Sequence, residues 1–255
     1  MIFTQLIQTN LRTKELGKYI EYYNRLESTN NEAWELIEEG SQHGTVIVTD
    51  NQTKGKGRRD NLWIMVAGKG LAFSLIIEKQ YPYTSAGLIS LATGISVVES
   101  LNKRGVETKL KWPNDIFAGE KKLGGILCET KIIKNKIEKI VIGVGINVNE
   151  KISEHPENIR DHLTTMLEIS NHAHQRELIA AEFLNSIERL LYELSDKPEQ
   201  IIDKWLNNCL HVNEKISFYE NTKIIEGVFC GLDINGFAKI EMNNKIKTYG
   251  SLSLI

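Results

Sequence analysis

Apolar residues recur at helical spacing in four segments of the chain. The first predicted helix follows Ser28, with Thr29 and Glu32 at the spacing of a capping box, and Gly40 ends it. The other three segments are residues 84–104, 175–193 and 198–210. The pattern therefore predicts several helices that each bury one face, and the longer ones are expected to pack on a sheet.

Strand patterns lie between these helical segments. Continuous apolar runs at residues 45–50 and 70–77 predict buried strands, and residues 106–112 alternate between apolar and charged positions until Pro113. Two longer runs, residues 123–133 and 137–148, are joined by a short polar segment and predict an antiparallel hairpin. The fold class predicted from these elements is α+β, with a central mixed sheet flanked by helices.

The pattern of the sequence changes near His211. Short strand-like segments follow, broken by Asn-Thr, Asn-Gly and Asn-Asn. Among these breaks, residues 233–236 (DING) predict a hairpin turn with two positive φ angles. We therefore predict a main domain over residues 1–210 and a small all-β domain over residues 211–255.

Composition narrows the class of protein. The 255 residues include 31 Lys+Arg and 33 Asp+Glu, a net charge of −2, so there is no chain-wide attraction to nucleic acid or anionic lipid. Three cysteines at wide spacing predict no disulfide framework, and the six histidines form no metal-binding motif. The amino terminus does not resemble a signal peptide, and the apolar runs are shorter than the ~20 residues of a membrane span. The sequence predicts a globular cytoplasmic protein that does not enter a membrane.

A basic, glycine-containing loop follows the first buried strand. Residues 52–60 (QTKGKGRRD) hold four cationic side chains and two glycines, a combination suited to a phosphate or carboxylate ligand. A solvated turn or a nucleic-acid contact would also explain the composition. A dinucleotide-binding fingerprint is excluded, because Asp60 stands at the third glycine position and no helix pattern follows.

A second polar cluster surrounds the end of the alternating strand. Lys111 and Lys122 are suited to neutralising anionic oxygens, and Asp115 is suited to holding Mg²⁺ together with substrate phosphates. A plain charged strand face followed by a turn is the competing interpretation. The pair Gly124-Gly125 inside a strand pattern indicates a bulge or the close approach of a ligand.

A third cluster lies on the last long strand. Gly143, Gly145 and Asn147 share one face, which leaves room there for a flat or bulky group, for another strand or for a helix. The amide of Asn147 could bond to a base or ring at this face.

Taken in order, these motifs resemble those of bacterial biotin protein ligases. The resemblance is carried by STN at residues 28–30, the basic loop with Gln52 and Trp63, KWPND at 111–115, KLGGIL at 122–127 and GVGINVN at 143–149. The carboxy-terminal segments GVFCGLDINGFAKIE and YGSLSL also resemble the SH3-like β-barrel of those enzymes. KWPND followed closely by KLGGIL is the most specific part of the pattern.

The resemblance implies a fold, an activity and a set of roles. The implied fold is related to class II aminoacyl-tRNA synthetases. The implied activity uses ATP and Mg²⁺ to convert biotin to biotinyl-AMP, then transfers biotin to a lysine of a biotin carboxyl carrier protein or domain. The residues implied to contact biotin or the adenylate are Ser28, Thr29, Asn30, Gln52, Gly55, Lys56, Gly57, Arg58, Arg59, Trp63, Lys122 and Gly125. Lys111, Asn114 and Asn147 would contact the nucleotide, and Asp115 the metal. Arg58, Lys111 and Lys122 are the implied catalytic residues.

The sequence departs from the family pattern at two loop positions. The family loop commonly reads GRGRRG, whereas Lys56 and Asp60 stand at its first arginine and last glycine here. Because lysine lacks the bidentate fork of arginine, we expect weaker retention of the adenylate. Only about twenty residues precede Tyr22, so we predict no DNA-reading domain and no DNA binding. The resemblance is compatible with a monomer or a homodimer.

Three other functions compete with biotin ligation. A lipoate ligase or octanoyl transferase would use a similar pocket, but KWPND and the basic loop do not favour it. A noncatalytic nucleotide or nucleic-acid binding module would bind in a strongly salt-dependent way. An adenylate-forming tRNA enzyme would need an anticodon-reading domain, for which the chain is short.

Overall fold

The computed structural model describes residues 1–220 and 223–254, without the side chains of Asp60 and Ser253. The predicted Asn-Thr break at residues 221–222, the last residue and the effect of the Asp60 side chain therefore lie outside the described residues.

The described part of the chain folds into six α-helices and fifteen strands. The helices are α1 Thr4–Thr9, α2 Thr29–Glu38, α3 Ala86–Asn102, α4 Met166–Ser170, α5 Arg176–Asp196 and α6 Pro198–Asn208. The first ten strands are β1 Ile20–Tyr23, β2 Val46–Thr49, β3 Gly55–Lys56, β4 Leu62–Trp63, β5 Leu71–Ile77, β6 Tyr81–Pro82, β7 Lys109–Lys111, β8 Asp115–Ala118, β9 Lys121–Ile133 and β10 Lys136–Ile146. The last five are β11 Lys215–Glu220, β12 Lys223–Leu232, β13 Ala238–Met242, β14 Lys245–Tyr249 and β15 Ser253–Leu254.

The central sheet is mixed, as the sequence predicts. Its strand order is β1-β2-β5-β10-β9-β8-β7, with β6 paired to β10. Only β1 and β2 are parallel among these pairs, and the β9–β10 hairpin is antiparallel over its length. A register shift between β8 and β9, opposite Leu123, confirms the bulge that Gly124-Gly125 indicates. The predicted strand at residues 106–112 is shorter, because only Lys109–Lys111 pairs in the sheet.

Helices cover both faces of this sheet. Helices α3 and α5 pack on one face, where the large apolar cluster includes Phe73, Leu75, Ile142 and Phe183. Helix α2 packs on the other face with a smaller cluster that includes Ala33, Ile47 and Val141. The segment Tyr83–Asn102, most of which is α3, is long and apolar enough to span a membrane, contrary to the expectation from run lengths. In this fold 72% of its most apolar 18 residues are buried within the protein.

The carboxy-terminal strands form a separate five-stranded antiparallel sheet of order β14-β13-β12-β11-β15. The turn after β12 is at the predicted place, but its geometry differs from the prediction. Gly236 has a φ of 81°, whereas Asn235 is not at positive φ. The Asp233 side chain instead accepts hydrogen bonds from the N–H groups of Asn235 and Phe237, which holds the turn without a second left-handed residue. This turn lies against the residue that follows β7, since the indole N–H of Trp112 donates to the Gly236 carbonyl at 3.4 Å.

Candidate active site

A cavity of about 280 Å³ opens on the α2 face of the central sheet. It lies between the start of α2, the β3–β4 loop, strands β7 to β9 and the carboxy-terminal segment. The predicted site residues that line it are Ser28, Thr29, Asn30, Gln52, Lys56, Gly57, Arg58, Arg59, Trp63, Lys111, Asn114, Asp115, Lys122 and Gly125. Gly55 and Asn147 are the two predicted residues that do not line it. Four motifs, STN, the basic loop, KWPND and KLGGIL, are thus brought into one site.

The start of α2 forms one end of the cavity. Ser28, in extended conformation at φ −152°, is the N-cap residue and its hydroxyl accepts from the Asn31 N–H at 3.5 Å. The predicted capping box of Thr29 and Glu32 is therefore wrong by one residue. The Glu32 carboxylate instead accepts from the Tyr23 hydroxyl at 2.7 Å, because β1 lies beside the helix.

Gln52 connects the end of β2 to this helix start. Its side-chain oxygen accepts from the Thr29 N–H at 2.8 Å and lies 3.1 Å from the Thr29 hydroxyl oxygen. Gly55 is placed behind this contact, where an added Cβ would lie 2.5 Å from the Gln52 amide nitrogen and 2.4 Å from the Trp63 carbonyl. Gly55 therefore allows the loop to approach Gln52 closely without itself reaching the cavity.

The loop between β3 and β4, residues 57–61, is called the arginine loop here. Its ends are joined by the β3–β4 pairing and by a 2.7 Å bond from the Gly57 N–H to the Asn61 carbonyl. Arg59 has a left-handed backbone, φ 54°, which makes the loop turn sharply. Next to the loop, the Lys56 ammonium donates to the Asn31 side chain at 2.7 Å.

Arg58 is held from two sides. Its guanidinium donates to Asn114 Oδ1 at 3.3 Å and to the Ser251 hydroxyl at 2.6 Å. Burial lowers the pKa of Arg58, the neighbouring Arg59 charge lowers it further, and Asp115 opposes this shift. Because a guanidinium is effectively always protonated in proteins, Arg58 stays cationic and presents a partly desolvated charge to the cavity.

Strands β7 to β9 provide the opposite wall. Lys111 and Asp115 are cross-strand partners, so their side chains project from the same face of the sheet. The Lys122 ammonium lies 2.7 Å from Asp115 Oδ1. Asn114 is fixed by a 2.7 Å bond from its side-chain amide to the Ile126 carbonyl. Asp115 is the one acid among the described side chains that line the cavity, whereas five cations line it, so the wall is positively charged.

Side chains from the site occupy the space beside two glycines of β10. A Cβ on Gly143 would lie 2.1 Å from Asn30 Oδ1, and a Cβ on Gly145 would lie 2.4 Å from Trp63 Cε2. The glycines therefore leave room on this face, as predicted, and the room is taken by Asn30 and the Trp63 ring. Asn147 lies further along, 3% exposed, and its amide donates to the Thr164 carbonyl at 3.1 Å. The structure does not bring Asn147 to the cavity.

The carboxy-terminal segment is a part of the site that the sequence did not predict. Leu252 and Leu254 line the cavity, and Ser251 contacts both arginines of the loop. The strand pairing of β15 with β11 places this segment there. The only sequence signal is the likeness of YGSLSL to the family, and a pairing this distant in the chain has no local pattern.

Comparisons with known proteins agree with this geometry. A sequence model of the biotin/lipoate A/B protein ligase family matches residues 22–147. The bifunctional ligase/repressor BirA of Bacillus spizizenii is 31% identical over 245 residues, which cover 94% of this chain and 75% of the relative. The chain belongs to the biotin protein ligase family.

Two further relatives agree with this assignment. The biotin–(acetyl-CoA-carboxylase) ligase of Mycobacterium tuberculosis is 29% identical over 178 residues, covering 68% of this chain and 64% of the relative. The structure of the Aquifex aeolicus biotin protein ligase in complex with biotin and ATP has a TM-score of 0.79 and 31% identity. It covers 93% of this chain and 99% of that one. The predicted function, ATP-dependent biotin–protein ligation, is confirmed.

Proposed function

We propose that this biotin protein ligase binds biotin at the α2 end of the cavity and the ATP phosphates along its cationic wall. This proposal rests on one observation: the cavity has an uncharged polar end and a cationic end. Ser28, Thr29 and Gln52 offer uncharged hydrogen-bonding groups at one end. Arg58 and the β7–β9 lysines offer charge at the other.

In the first step, a carboxylate oxygen of biotin attacks the α-phosphorus of ATP. An O–P bond forms, the bond to the β-phosphate oxygen breaks, and pyrophosphate leaves. Both reactants are anions, so their approach is opposed unless fixed positive charge neutralises them. Lys122 is placed for the biotin carboxylate, and Lys111 and Arg58 for the α-phosphate. Lys122 would exchange its bond to Asp115 for the incoming carboxylate.

The residues present fit a magnesium ion that is held mainly by the nucleotide. Mg²⁺ is usually bound by one or two carboxylates together with substrate phosphates, and Asp115 supplies one carboxylate at the cavity. Among the described side chains, no group of three or more acidic, histidine or cysteine residues is placed to hold a metal ion. Asp115 would hold the ion, which would add positive charge at the phosphates.

In the second step, a lysine amine attacks the acyl carbon of the adenylate. An amide bond forms and AMP leaves with the electron pair of the broken C–O bond. The carrier of this lysine is a biotin carboxyl carrier protein or domain, a proposal supported by the name of the mycobacterial relative, which refers to acetyl-CoA carboxylase. The arginine loop would exclude water, which otherwise hydrolyses the mixed anhydride.

The carboxy-terminal sheet, we further propose, is an SH3-like barrel that begins near residue 211 and covers the nucleotide. Its short antiparallel strands and the return of β15 to β11 support this proposal. The contact of Ser251 with Arg58 supports the covering role. A cytoplasmic location, the absence of DNA and membrane binding, and a monomeric or homodimeric state stay predictions.

The proposal is tested by incubating the chain with ATP, Mg²⁺, labelled biotin and a carrier domain. We expect the mass of the carrier to increase by one biotinyl group, together with biotin-dependent release of pyrophosphate. Replacing Asp115 by Asn should raise the Mg²⁺ concentration needed for half-maximal rate by about tenfold, since a charged metal contact is lost. An unchanged metal requirement would remove Asp115 from this role.

A further inference from the structure

A chain of polar side chains, three of them buried and one half-buried, lies beneath the biotin end of the cavity. It starts at Glu129 on β9, passes through Asn30 and Ser74, and ends at Thr29. Ser74 is fully buried, and Asn30 and Thr29 are each 4% exposed. Of these four residues, Glu129 and Ser74 were not among the predicted site residues. Polar groups this deeply buried are retained only when each is hydrogen-bonded, so the direction of every bond matters.

Glu129 fixes the orientation of the Asn30 amide. The Asn30 nitrogen lies 2.7 Å from a Glu129 carboxylate oxygen and 3.3 Å from the Leu127 carbonyl. Both of these groups only accept, so the donor end of the amide must face them. The same Glu129 oxygen accepts from the Trp34 indole at 3.4 Å. The oxygen of Asn30 therefore faces Ser74.

The orientation of Asn30 then determines which hydroxyl donates to which. Asn30 Oδ1 lies 2.6 Å from the Ser74 hydroxyl oxygen and can only accept, so the single Ser74 hydrogen belongs to this bond. Ser74 also lies 2.7 Å from the Thr29 hydroxyl oxygen. The one hydroxyl hydrogen of Thr29 has two acceptors within reach, Ser74 at 2.7 Å and Gln52 Oε1 at 3.1 Å. We assign it to the shorter contact, because Ser74 has already given its own hydrogen to Asn30. The opposite assignment would leave the buried Asn30 oxygen without a donor, which is costly.

The consequence appears at the cavity. With its hydrogen directed to Ser74, the Thr29 oxygen has only lone pairs left, and it lies 3.1 Å from the Gln52 oxygen. The Gln52 group is the oxygen end of its amide, because it accepts from the Thr29 N–H at 2.8 Å. Two acceptors thus lie side by side at the wall, an arrangement that an N–H donor from a ligand would complete.

We propose that Glu129 and Ser74 are positioning residues for biotin. The Glu129 charge orients the chain of hydrogen bonds, and Ser74 transmits this orientation, so that Thr29 and Gln52 jointly accept one N–H of the biotin ureido ring. The inference rests on the proposed placement of biotin at the α2 end of the cavity. It assigns the preference for an N–H donor to residues that do not touch the ligand.

The test measures biotin affinity and turnover separately in matched variants. In Glu129→Leu and in Ser74→Ala we expect the Kd for biotin to rise about tenfold, the usual scale for one lost hydrogen bond to a buried polar group. Turnover at saturating biotin and the KM for ATP should change by less than about twofold, since the cationic wall is untouched. Glu129→Gln should retain near-normal affinity, because the Asn30 and Trp34 donors select the oxygen of the new amide. Glu138→Leu, on the adjacent strand β10 and outside the cavity, is the control.

The double variant Glu129→Leu, Ser74→Ala distinguishes a shared chain of oriented hydrogen bonds from two independent packing defects. One shared chain predicts a Kd close to that of either single variant, whereas independent packing defects predict a loss near the product of the two. Multiplied effects, or a parallel rise in the KM for ATP, would overturn the inference. If Glu129→Leu fails to fold, the other two variants provide the test. The inference expects weakened biotin affinity in Ser74→Ala and near-normal biotin affinity in Glu129→Gln, and normal affinity in Ser74→Ala would overturn it.

Thr29→Val separates this inference from the proposed function. Unchanged biotin affinity in Thr29→Val would show that biotin is not bound at the α2 end. Weakened affinity in Thr29→Val together with normal affinity in Ser74→Ala and Glu129→Leu would refute only the orienting chain.

Discussion

The two faces of the central sheet use the same strands in opposite ways. On β5, Phe73 faces α3 and α5 in the large apolar cluster, whereas its neighbour Ser74 faces α2 and the polar chain beneath the cavity. On β10, Val144 belongs to the apolar cluster and the flanking Gly143 and Gly145 face the site. Because successive side chains of a strand point to opposite faces, alternate residues of β5 and β10 serve stability on one face and the site on the other.

The difference shows where this fold obtains its stability. Large side chains on the α3 and α5 face remove apolar area from water, which is the main favourable contribution to folding. On the α2 face, strand side chains are removed at glycines and replaced by Asn30 and Trp63, which reach in from other elements. Substitutions on the first face should therefore change stability, and those on the second should change ligand binding.

The largest expected effect is on the apolar face. Phe73 is fully buried with its ring edge-on to Phe183 at 5.1 Å, so Phe73→Ala should lower the free energy of unfolding by about 4 kcal/mol. Urea denaturation measures this loss, and the folded fraction should keep its biotin affinity. In Ser74→Ala, one residue away, stability should fall far less while affinity falls. Equal stability losses in the two variants would contradict the division between the faces.

A pH effect is expected where the apolar cluster continues into the carboxy-terminal sheet. Burial against Trp205 and Phe229, and then the Lys111 charge, lower the pKa of His211 to about 4. The unfolded chain binds a proton near pH 6.5, so this stability is present above pH 6.5 and is lost as the pH falls from 6.5 to 4. The loss should reach about 3 kcal/mol.

Denaturation curves across that pH range provide the measurement. His211→Phe should flatten the pH dependence, and His162→Phe, at an exposed position, should keep it. A wild-type stability that does not change between pH 6.5 and 4 would show that His211 is not held neutral.

On the site face, the largest expected effect is that of Arg58→Ala. The change should lower the transfer rate by about a hundredfold, the usual scale for a lost charge-stabilising donor. Stability should hardly change, because among the described residues the Arg58 side chain bonds to Asn114 and Ser251 and joins no apolar cluster. Transfer to a carrier domain, followed by mass analysis, is the measurement. A normal transfer rate would exclude Arg58 from catalysis.

The smallest expected effect distinguishes two glycines that are cross-strand partners. In Gly145→Ala the new Cβ would lie 2.4 Å from the Trp63 ring, which must move, and adenylate retention should fall by about tenfold. In Gly125→Ala the nearest atom of Lys122 is 3.6 Å away, an ordinary contact, so a smaller change is expected. Release of labelled biotinyl-AMP compares the two. A larger effect in Gly125→Ala would mean that the space beside Gly145 is not needed.

The elements of the fold were largely predictable. The β9–β10 hairpin, the long helix α5 and the mixed sheet follow from periods and turns that act over a few residues. Errors occurred where a neighbour in space competes with a local preference. The N-cap of α2 lies at Ser28 because Gln52 takes the Thr29 N–H, and Asn235 avoids positive φ because Asp233 bonds to the turn.

The site was predictable in part for a different reason. Its loop, KWPND and glycine motifs are local clusters of residue types with chemical meaning, and the structure brings nearly all of them to one cavity. Gly55 and Asn147 were the exceptions. A glycine that lets a loop approach Gln52 has the same sequence appearance as one that faces a ligand, and so has a buried amide bonded to Thr164.

By itself, the sequence determined the order of helices and strands, the α+β class and the family, since hydrophobic periods and short motifs are local properties. Only the tertiary structure decided that Leu252 lines the cavity and Ser251 contacts Arg58, that Trp63 and Asn30 cover two glycines, and that Glu129 and Ser74 lie behind Thr29. Those contacts join residues far apart in the chain, and their hydrogen-bond directions depend on which groups burial leaves facing each other.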